Sequence, residues 1–287
     1  MDFLRATTWT EALRMKADRP DATPLQGGTD VMVEINLDKG RPKALLDLTP
    51  VTELTEWSIH DDTVRIGAGV TYTRIIAELA DRLPGLAQAS RTVGSPQIRN
   101  RGTVAGNLGA ASPAGDSHPP LLATGATVEA ESVDGTRMIP IGDFYTGVKR
   151  NALAANELIR AIHVPVKTGP QYFSKIGTRN AMVIAVCSFG LALNVAERTV
   201  GTGIGSAAPT PRRAFEAETF LAENLDWSFE NELDPVVTKR FGELVAAAAA
   251  PIDDVRGSRD YRVHALAVMA RRTLGWAWQE RVNGGNS

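Results

Sequence analysis

Cysteine is almost absent from the chain, whose 287 residues include a single one, Cys187. One cysteine excludes an intramolecular disulfide, a CxxC site and an iron–sulfur cluster that this chain ligates by itself. The four histidines (His60, His118, His163 and His264) lack metal-ligand spacing, so the sequence predicts no metal site. Redox or hydrolytic chemistry therefore needs a bound organic cofactor or unaided side chains.

Long apolar runs and a marked charge excess are missing as well. The 31 lysines and arginines nearly balance the 33 aspartates and glutamates, which disfavours nucleic acid or an anionic membrane as a partner. No stretch reaches the ~18 uninterrupted apolar residues of a membrane span, and residues 1–5 do not begin a secretory signal. We therefore expect a soluble cytoplasmic protein of about two domains, since one domain has roughly 150 residues.

The hydrophobic pattern predicts helices and strands on both sides of a linker at 166–170. Thr8 and Glu11 form a capping-box pattern that opens a helix, which Pro20 must end, and Thr71 caps a second helix. The predicted strands are 44–48, 63–66, 126–132, 138–141, 157–164, 171–175, 181–196 and 200–207, and the predicted C-terminal helices are 213–223, 234–250 and 261–281.

The chain has 26 glycines, which is more than usual for its length. Two of them lie in a first loop, Gln-Gly-Gly-Thr-Asp at 26–30, directly after a short strand. Adjacent glycines allow positive φ and let a ligand approach the backbone N–H groups, which can form an anion-binding nest. The alternative is an ordinary tight turn. Asp30 fits an organiser of loop N–H groups or an acceptor for a hydroxyl better than a phosphate ligand.

A second loop, residues 94–107, combines two arginines with small residues and the sequence Gly-Thr-Val-Ala-Gly-Asn. It is unusually long for a mere connection between a helix and a strand, although a plain surface loop is the alternative. Asp116 follows nine positions later, where a carboxylate could accept from ribose hydroxyls. Neither loop is a Walker A motif or a G-x-G-x-x-G fingerprint. The pair indicates a dinucleotide or anion binder, and FAD qualifies.

These loops and the spacing to Asp116 resemble the FAD-binding (medium) subunits of molybdenum hydroxylases, the family of xanthine and carbon monoxide dehydrogenases. The resemblance extends over nearly the whole chain, and the stretch at 96–107 carries most of it. It implies an α+β fold with a two-lobed FAD-binding domain of the vanillyl-alcohol-oxidase (PCMH) type at 1–167, with lobes of about 1–54 and 55–167. A C-terminal domain of antiparallel sheet with helices would occupy 168–287.

The resemblance also implies the FAD contacts. The segment 24–31 would wrap the diphosphate from one side and 103–107 from the other, while Asp116 would bind the adenosine ribose. Ile159 matches an apolar flavin contact, or is simply a buried strand residue. Lys175 matches a basic residue near the flavin, or is a solvated lysine at a sheet edge. The implied residues are Pro24, Leu25, Gln26, Gly27, Gly28, Thr29, Asp30, Val31, Val93, Thr103, Val104, Ala105, Gly106, Asn107, Asp116, Ile159 and Lys175.

Two positions depart from the family pattern. Many members have glycine where this chain has Ala105, and a positive φ there would cost about 1 kcal/mol for a residue with a Cβ. With ordinary backbone at that position, alanine is tolerated. Gln26 stands where small residues are common in the first loop.

The resemblance implies a division of labour between subunits. A large subunit would oxidise the substrate at molybdenum, a small subunit would carry two [2Fe–2S] clusters, and this chain would pass electrons through FAD to an acceptor. The single cysteine agrees with that division, because the clusters must lie on a partner. The family commonly forms a dimer of heterotrimers. The acceptor stays open among NAD, oxygen and quinone.

Xanthine is the substrate that the sequence favours for the complex. The passages at 92–101 and 145–150 look most like bacterial xanthine dehydrogenase medium subunits, whereas carbon monoxide dehydrogenases tend to have Gly-Gly-His-Ser in the first loop. The alternatives are carbon monoxide, nicotine, or aromatic heterocycles and aldehydes as substrates. Two further classes also remain, a self-standing flavin oxidoreductase and a non-enzymatic nucleotide-binding module. Neither loop has the His or Cys that a covalent flavin link requires.

Overall fold

The computed structural model describes residues 1–284, with side chains through residue 282. The first lobe consists of β1 (Asp2–Arg5), α1 (Trp9–Asp18), β2 (Ala22–Leu25), α2 (Val31–Asn36) and β3 (Ala44–Asp47). Its three strands form a parallel sheet in the order β1-β3-β2, and the central strand β3 is fully buried. Thr8 caps α1 as predicted, since its Oγ1 accepts from the Glu11 N–H at 3.2 Å. The Glu11 carboxylate also reaches back, but it accepts from the N–H of Thr7 at 2.7 Å, one residue before the cap.

The second lobe follows a 3-10 turn at Thr52–Leu54. Its elements are β4 (Trp57–His60), β5 (Thr63–Gly67), α3 (Tyr72–Glu78), α4 (Pro84–Thr92), α5 (Pro96–Arg99), α6 (Val104–Ala110), α7 (His118–Thr124), β6 (Thr127–Ser132), β7 (Gly135–Pro140), α8 (Ile141–Phe144), β8 (Tyr145–Gly147), β9 (Arg150–Asn151) and β10 (Leu158–Pro165). Five strands form an antiparallel sheet in the order β4-β5-β10-β6-β7. Thr71 caps α3 as predicted, with its hydroxyl accepting from the Arg74 N–H.

The C-terminal part is a three-stranded antiparallel sheet with helices, as predicted. It consists of β11 (Gln171–Ile176), β12 (Cys187–Asn194), β13 (Thr199–Gly205), α9 (Phe215–Asn224), α10 (Pro235–Ala247) and α11 (Arg259–Gly284). The predicted strand at 181–196 is wrong in its first six residues. They form an irregular segment in which Met182 has φ +48° and both Met182 and Ile184 are exposed, so apolar character alone misled the prediction.

Helix α7 joins the second lobe to the C-terminal sheet. Its backbone at Pro119 approaches β12 and β13 where they carry glycine, and a Cβ on Gly190 would lie 2.7 Å from the Pro119 carbonyl oxygen. Gly203 and Gly201 allow the same close approach to Pro119 and Ala123. This packing fixes the segment before α7 against strand β11.

The buried apolar residues form two clusters, one between positions 6 and 164 and the other between positions 187 and 278. The predicted domain boundary after residue 167 falls in the segment between β10 and β11. Within residues 1–284, no helix is both long and apolar enough to cross a membrane.

Candidate functional site

The first glycine loop connects β2 to the start of α2. Gly28 has φ +74°, the left-handed conformation that glycine adopts without steric cost. Asp30 stands at the N-terminal cap of α2, but its side chain makes no capping hydrogen bond. The N–H groups of Gly27, Gly28 and Thr29 donate to no oxygen within residues 1–284. They are free to bind an anion, as in a nest of successive backbone N–H groups.

The second loop is more ordered than the sequence predicts, because α5 and the first turn of α6 lie within residues 94–107. Thr103 caps α6, and its hydroxyl accepts from the Gly106 N–H at 2.9 Å. Ala105 lies inside this helix with ordinary backbone, so its Cβ causes no strain there. The N–H groups of Val104 and Ala105 have no acceptor in the described chain, as is usual in a first helical turn.

The two loops are in direct backbone contact, although about 75 residues separate them. A Cβ on Gly27 would collide with the Arg101 carbonyl group and lie 3.1 Å from the Gly102 Cα. Tyr72 holds the second loop at this contact, because its N–H donates to the Gly102 carbonyl at 3.0 Å. Its buried hydroxyl lies 2.9 Å from Ser117 Oγ. The free N–H groups of both loops are therefore held in one region.

Gly106 faces open space in this region. A Cβ added there would meet only Thr103 Oγ1, at 3.2 Å, within a 4 Å radius. Glycine at 27 is thus required by the protein's own packing, whereas the protein itself does not require glycine at 106. Open space at a glycine, beside two sets of free N–H donors, is what a cradle for a diphosphate needs.

A buried ion pair lies near the end of α4. Lys175 Nζ donates to Asp116 Oδ2 at 2.5 Å and to the Thr92 carbonyl at 3.2 Å, while Thr92 Oγ1 donates to Asp116 Oδ2 at 2.9 Å. The other carboxylate oxygen of Asp116, Oδ1, is enclosed and has no donor within residues 1–284. Burial raises the pKa of Asp116 although Lys175 and Thr92 oppose the shift. An additional donor on Oδ1, such as a sugar hydroxyl, would satisfy this group. Val93 follows Thr92 directly.

Ile159 is a buried residue of strand β10. It pairs with β6 just before a bulge at Arg160, and the Arg160 carbonyl accepts from the Ala68 N–H at 3.1 Å. The neighbouring Gly69 packs against Gln26, whose Nε2 would be 3.0 Å from a Cβ at that glycine. Gln26 Oε1 is enclosed and has no hydrogen-bond partner in the described part of the chain. Gln26 therefore fills space between the first loop and the central sheet.

Comparison with known proteins decides the family. Residues 1–167 match the family described as the FAD binding domain in molybdopterin dehydrogenase, and residues 172–277 match the CO dehydrogenase flavoprotein C-terminal domain. The chain belongs to the FAD-binding subunits of the molybdenum hydroxylases. Its cofactor is FAD, and its activity is that of an oxidoreductase subunit, as the resemblance implied.

The relatives in this family are named for dehydrogenases of different substrates. The xanthine dehydrogenase FAD-binding subunit of Escherichia coli O157:H7 is 31% identical over 284 residues, covering 95% of this chain and 94% of the relative. The nicotinate dehydrogenase FAD-subunit of Eubacterium barkeri is 34% identical over 210 residues, covering 70% and 71%. The fold matches carbon monoxide dehydrogenase from Hydrogenophaga pseudoflava, with a TM-score of 0.88 and 26% identity over 97% of each chain. The confirmed α+β architecture is thus that of the FAD-binding subunits.

The residues that the resemblance implies form two groups in this flavoprotein subunit. The segment 24–31 contacts residues 101–102, which directly precede 103–107, and Ile159 is buried in β10. Asp116 and Lys175 meet at the end of α4, next to Val93. Sequence reasoning missed three supporting residues, namely Thr92, Tyr72 and Ser117. The only signal in the sequence was that Thr92 and Ser117 are the chain neighbours of the predicted contacts Val93 and Asp116. The partnership of Tyr72 with Ser117 spans 45 positions and depends on the fold.

Proposed function

We propose that the FAD diphosphate lies between Gln26–Thr29 and Thr103–Asn107. The observation that carries this proposal is the backbone contact of Gly27 with Arg101, which brings two sets of unused N–H donors together. Such donors bind phosphate oxygens without a cationic side chain. The open space at Gly106 would admit a phosphate close to the backbone.

In this proposal the ion-paired group binds the adenosine end of FAD. Asp116 Oδ1 would accept from a ribose hydroxyl, while Lys175 and Thr92 hold Oδ2 and so fix the carboxylate. Lys175 therefore acts on the ribose through Asp116, and its contact with the flavin ring stays a prediction. Val93 and Ile159 would supply apolar surface at the two groups of contacts.

FAD, when bound, supplies the capacity to accept and release electrons singly or in pairs. The residues of this chain bind and orient it, and none of them oxidises the substrate. Cys187 lies in the buried strand β12, and burial raises the pKa of its thiol to about 12, so it is not available as a cluster ligand. We infer that electrons arrive from [2Fe–2S] clusters on a small partner subunit, after oxidation of the substrate at molybdenum on a large one.

Xanthine is the proposed substrate of the complex, and an acceptor such as NAD would receive the electrons. The passages at 92–101 and 145–150 and the Escherichia coli relative support xanthine. The nicotinate and carbon monoxide relatives are similarly related, so the substrate must be assayed on the assembled complex. We further propose that the complex is a dimer of heterotrimers in the cytoplasm. Within this chain, the boundary between the two domains would follow residue 167.

The test compares the purified chain with the complex that it forms. The chain alone should bind FAD stoichiometrically, yet its flavin absorbance should not bleach when xanthine is added. With the large and small subunits present, xanthine should bleach the flavin absorbance under anaerobic conditions. Nicotinate and carbon monoxide are tested in the same assay as comparison substrates. Bleaching by substrate without partners would instead establish a self-standing oxidoreductase. If the chain retains no yellow colour once unbound FAD has been removed, and excess FAD leaves its thermal stability unchanged, the proposal is refuted.

A further inference from the structure

Helix α2 continues the first glycine loop and has few contacts with the rest of the protein. No residue of this helix is buried. Its second turn is hydrogen-bonded to the loop, because the Glu34 N–H donates to the Asp30 carbonyl at 3.0 Å. In the described part of the chain, residues 31–41 make only one hydrogen bond to a residue outside the first loop and outside this segment itself. The position of α2 therefore depends on that bond.

The bond is an ion pair between α2 and the second lobe. Lys149 Nζ donates to Glu34 Oε1 at 2.5 Å, although 115 positions separate the two residues in sequence. Lys149 lies in the turn of the hairpin formed by β8 and β9. Both side chains are partly exposed, so the pair contributes modestly and is open to substitution without damage to the core.

The same hairpin is bound to the C-terminal end of α6, the helix that begins in the second loop. The Lys149 N–H donates to the Ala111 carbonyl at 3.2 Å. Asn151 Nδ2 donates to the Gly109 carbonyl at 3.0 Å. Ala111 and Lys149 both have left-handed backbone, with φ of +46° and +54°. That conformation is unfavourable for a residue with a Cβ and persists where surrounding contacts fix it. The hairpin thus has a fixed position against α6.

We propose that Lys149 is a positioning residue, which connects α2 and the first loop to α6 and the second loop through Glu34. The contact of Gly27 with Arg101 joins the loops themselves, and the hairpin joins the helices that follow them. This inference rests on the proposed location of the FAD diphosphate between the loops. Loss of the ion pair leaves the N–H groups of the first loop less firmly placed, so bound FAD is released faster.

The experiment measures the rate of FAD dissociation from the purified chain, followed by the rise of flavin fluorescence on dilution. K149N removes the ammonium group, and asparagine tolerates left-handed backbone. It should release FAD about two- to five-fold faster, which is the contribution of an exposed ion pair. The Tm of the apo chain should stay within about 2 °C of the parent, because the fold does not depend on this pair. K149R keeps the charge and should restore the parent rate.

Substitution of Glu34 distinguishes this connection from a direct attraction between Lys149 and FAD. E34Q should release FAD as fast as K149N, and the double variant E34Q/K149N no faster than either, since all of them lack the same bond. Under direct attraction, E34Q would leave release unchanged or slow it. The charge exchange E34K/K149E should release FAD more slowly than either single reversal. R41Q is the matched control, because the ion pair of Arg41 with Asp38 stays within one segment; its release rate should equal the parent rate.

A second measurement does not depend on flavin. Hydrogen exchange of the α2 amides in the apo chain should be faster in K149N and E34Q than in the parent and R41Q. Parent rates of FAD release in K149N or E34Q, a charge exchange without rescue, or equal hydrogen exchange in all four proteins would each overturn the inference.

G106V separates this inference from the proposed FAD location. If G106V abolishes FAD binding while K149N and E34Q release FAD at the parent rate, only the role of Lys149 is refuted. If G106V binds FAD as the parent does, the FAD location itself is refuted.

Discussion

Substitution of Gly106 changes the proposed diphosphate cradle and almost nothing else in the protein. The added Cβ of G106A meets only its capping partner Thr103 Oγ1, at 3.2 Å, and position 106 is exposed within α6. Alanine is favoured over glycine in a helix by about 0.5–1 kcal/mol, and a small shift of the Thr103 hydroxyl to relieve the 3.2 Å contact offsets part of this gain. The Tm of the apo chain should therefore stay the same or rise by at most about 4 °C. The same Cβ occupies the space of a phosphate in contact with the backbone. FAD binding should therefore weaken at least about ten-fold, or about 1.4 kcal/mol, and G106V should abolish it.

The assay combines FAD titration, followed by flavin fluorescence, with the Tm of the apo chain. G109A is the matched control, because Gly109 lies in the same helix, is exposed, and has nothing within 4 Å of its Cβ position. It should show the gain in Tm without any loss of FAD affinity. Equal FAD affinities in G106A, G106V and G109A would refute the reasoning, since the open space at Gly106 would then not be a phosphate site.

Three further predictions concern stability. K175M should lower the free energy of unfolding by about 3 kcal/mol in a urea titration, because it leaves the Asp116 carboxylate buried without its partner; a loss below about 1 kcal/mol would contradict this. G27A should unfold at lower urea than G106A, since its Cβ collides with the Arg101 carbonyl; equal midpoints would show that the loops separate freely. Burial lowers the pKa of His118 from 6.5 to about 4. As the pH decreases, the unfolded chain therefore binds this proton before the folded chain does, and the free energy of unfolding falls between pH 6.5 and 4. Between pH 7 and 5.5 this loss should be about 1 kcal/mol and absent in H118Q, and the same pH slope in both proteins would contradict it.

Features determined by neighbouring residues were predictable from the sequence. The hydroxyls of Thr8 and Thr71 cap helices where the pattern placed them, because capping depends on a few consecutive residues. The first loop follows a strand, as its paired glycines indicated, and Gly28 has the positive φ that such a turn needs. The three C-terminal helices follow their apolar periodicity to within a few residues at most ends.

Features determined by distant contacts were not predictable. Residues 94–107 were expected to be a loop, yet Ser95 and Thr103 cap short helices that are held against the rest of the lobe. The partnership of Lys175 with Asp116 depends on the packing of α7 on the glycines of β12 and β13, which no local pattern reveals. The same holds for His118, which is fully buried with its Nδ1 2.8 Å from the hydroxyl of Tyr145, a residue 27 positions away.

The central claim is that the two glycine loops together hold one FAD diphosphate. A crystal structure or electron cryo-microscopy map of the FAD-loaded protein, alone or within its complex, tests it most directly. We expect the phosphate oxygens to lie about 3 Å from backbone nitrogens of both Gly27–Thr29 and Val104–Ala105, with a ribose hydroxyl on Asp116. A diphosphate that contacts neither loop, or only one of them, would contradict the account.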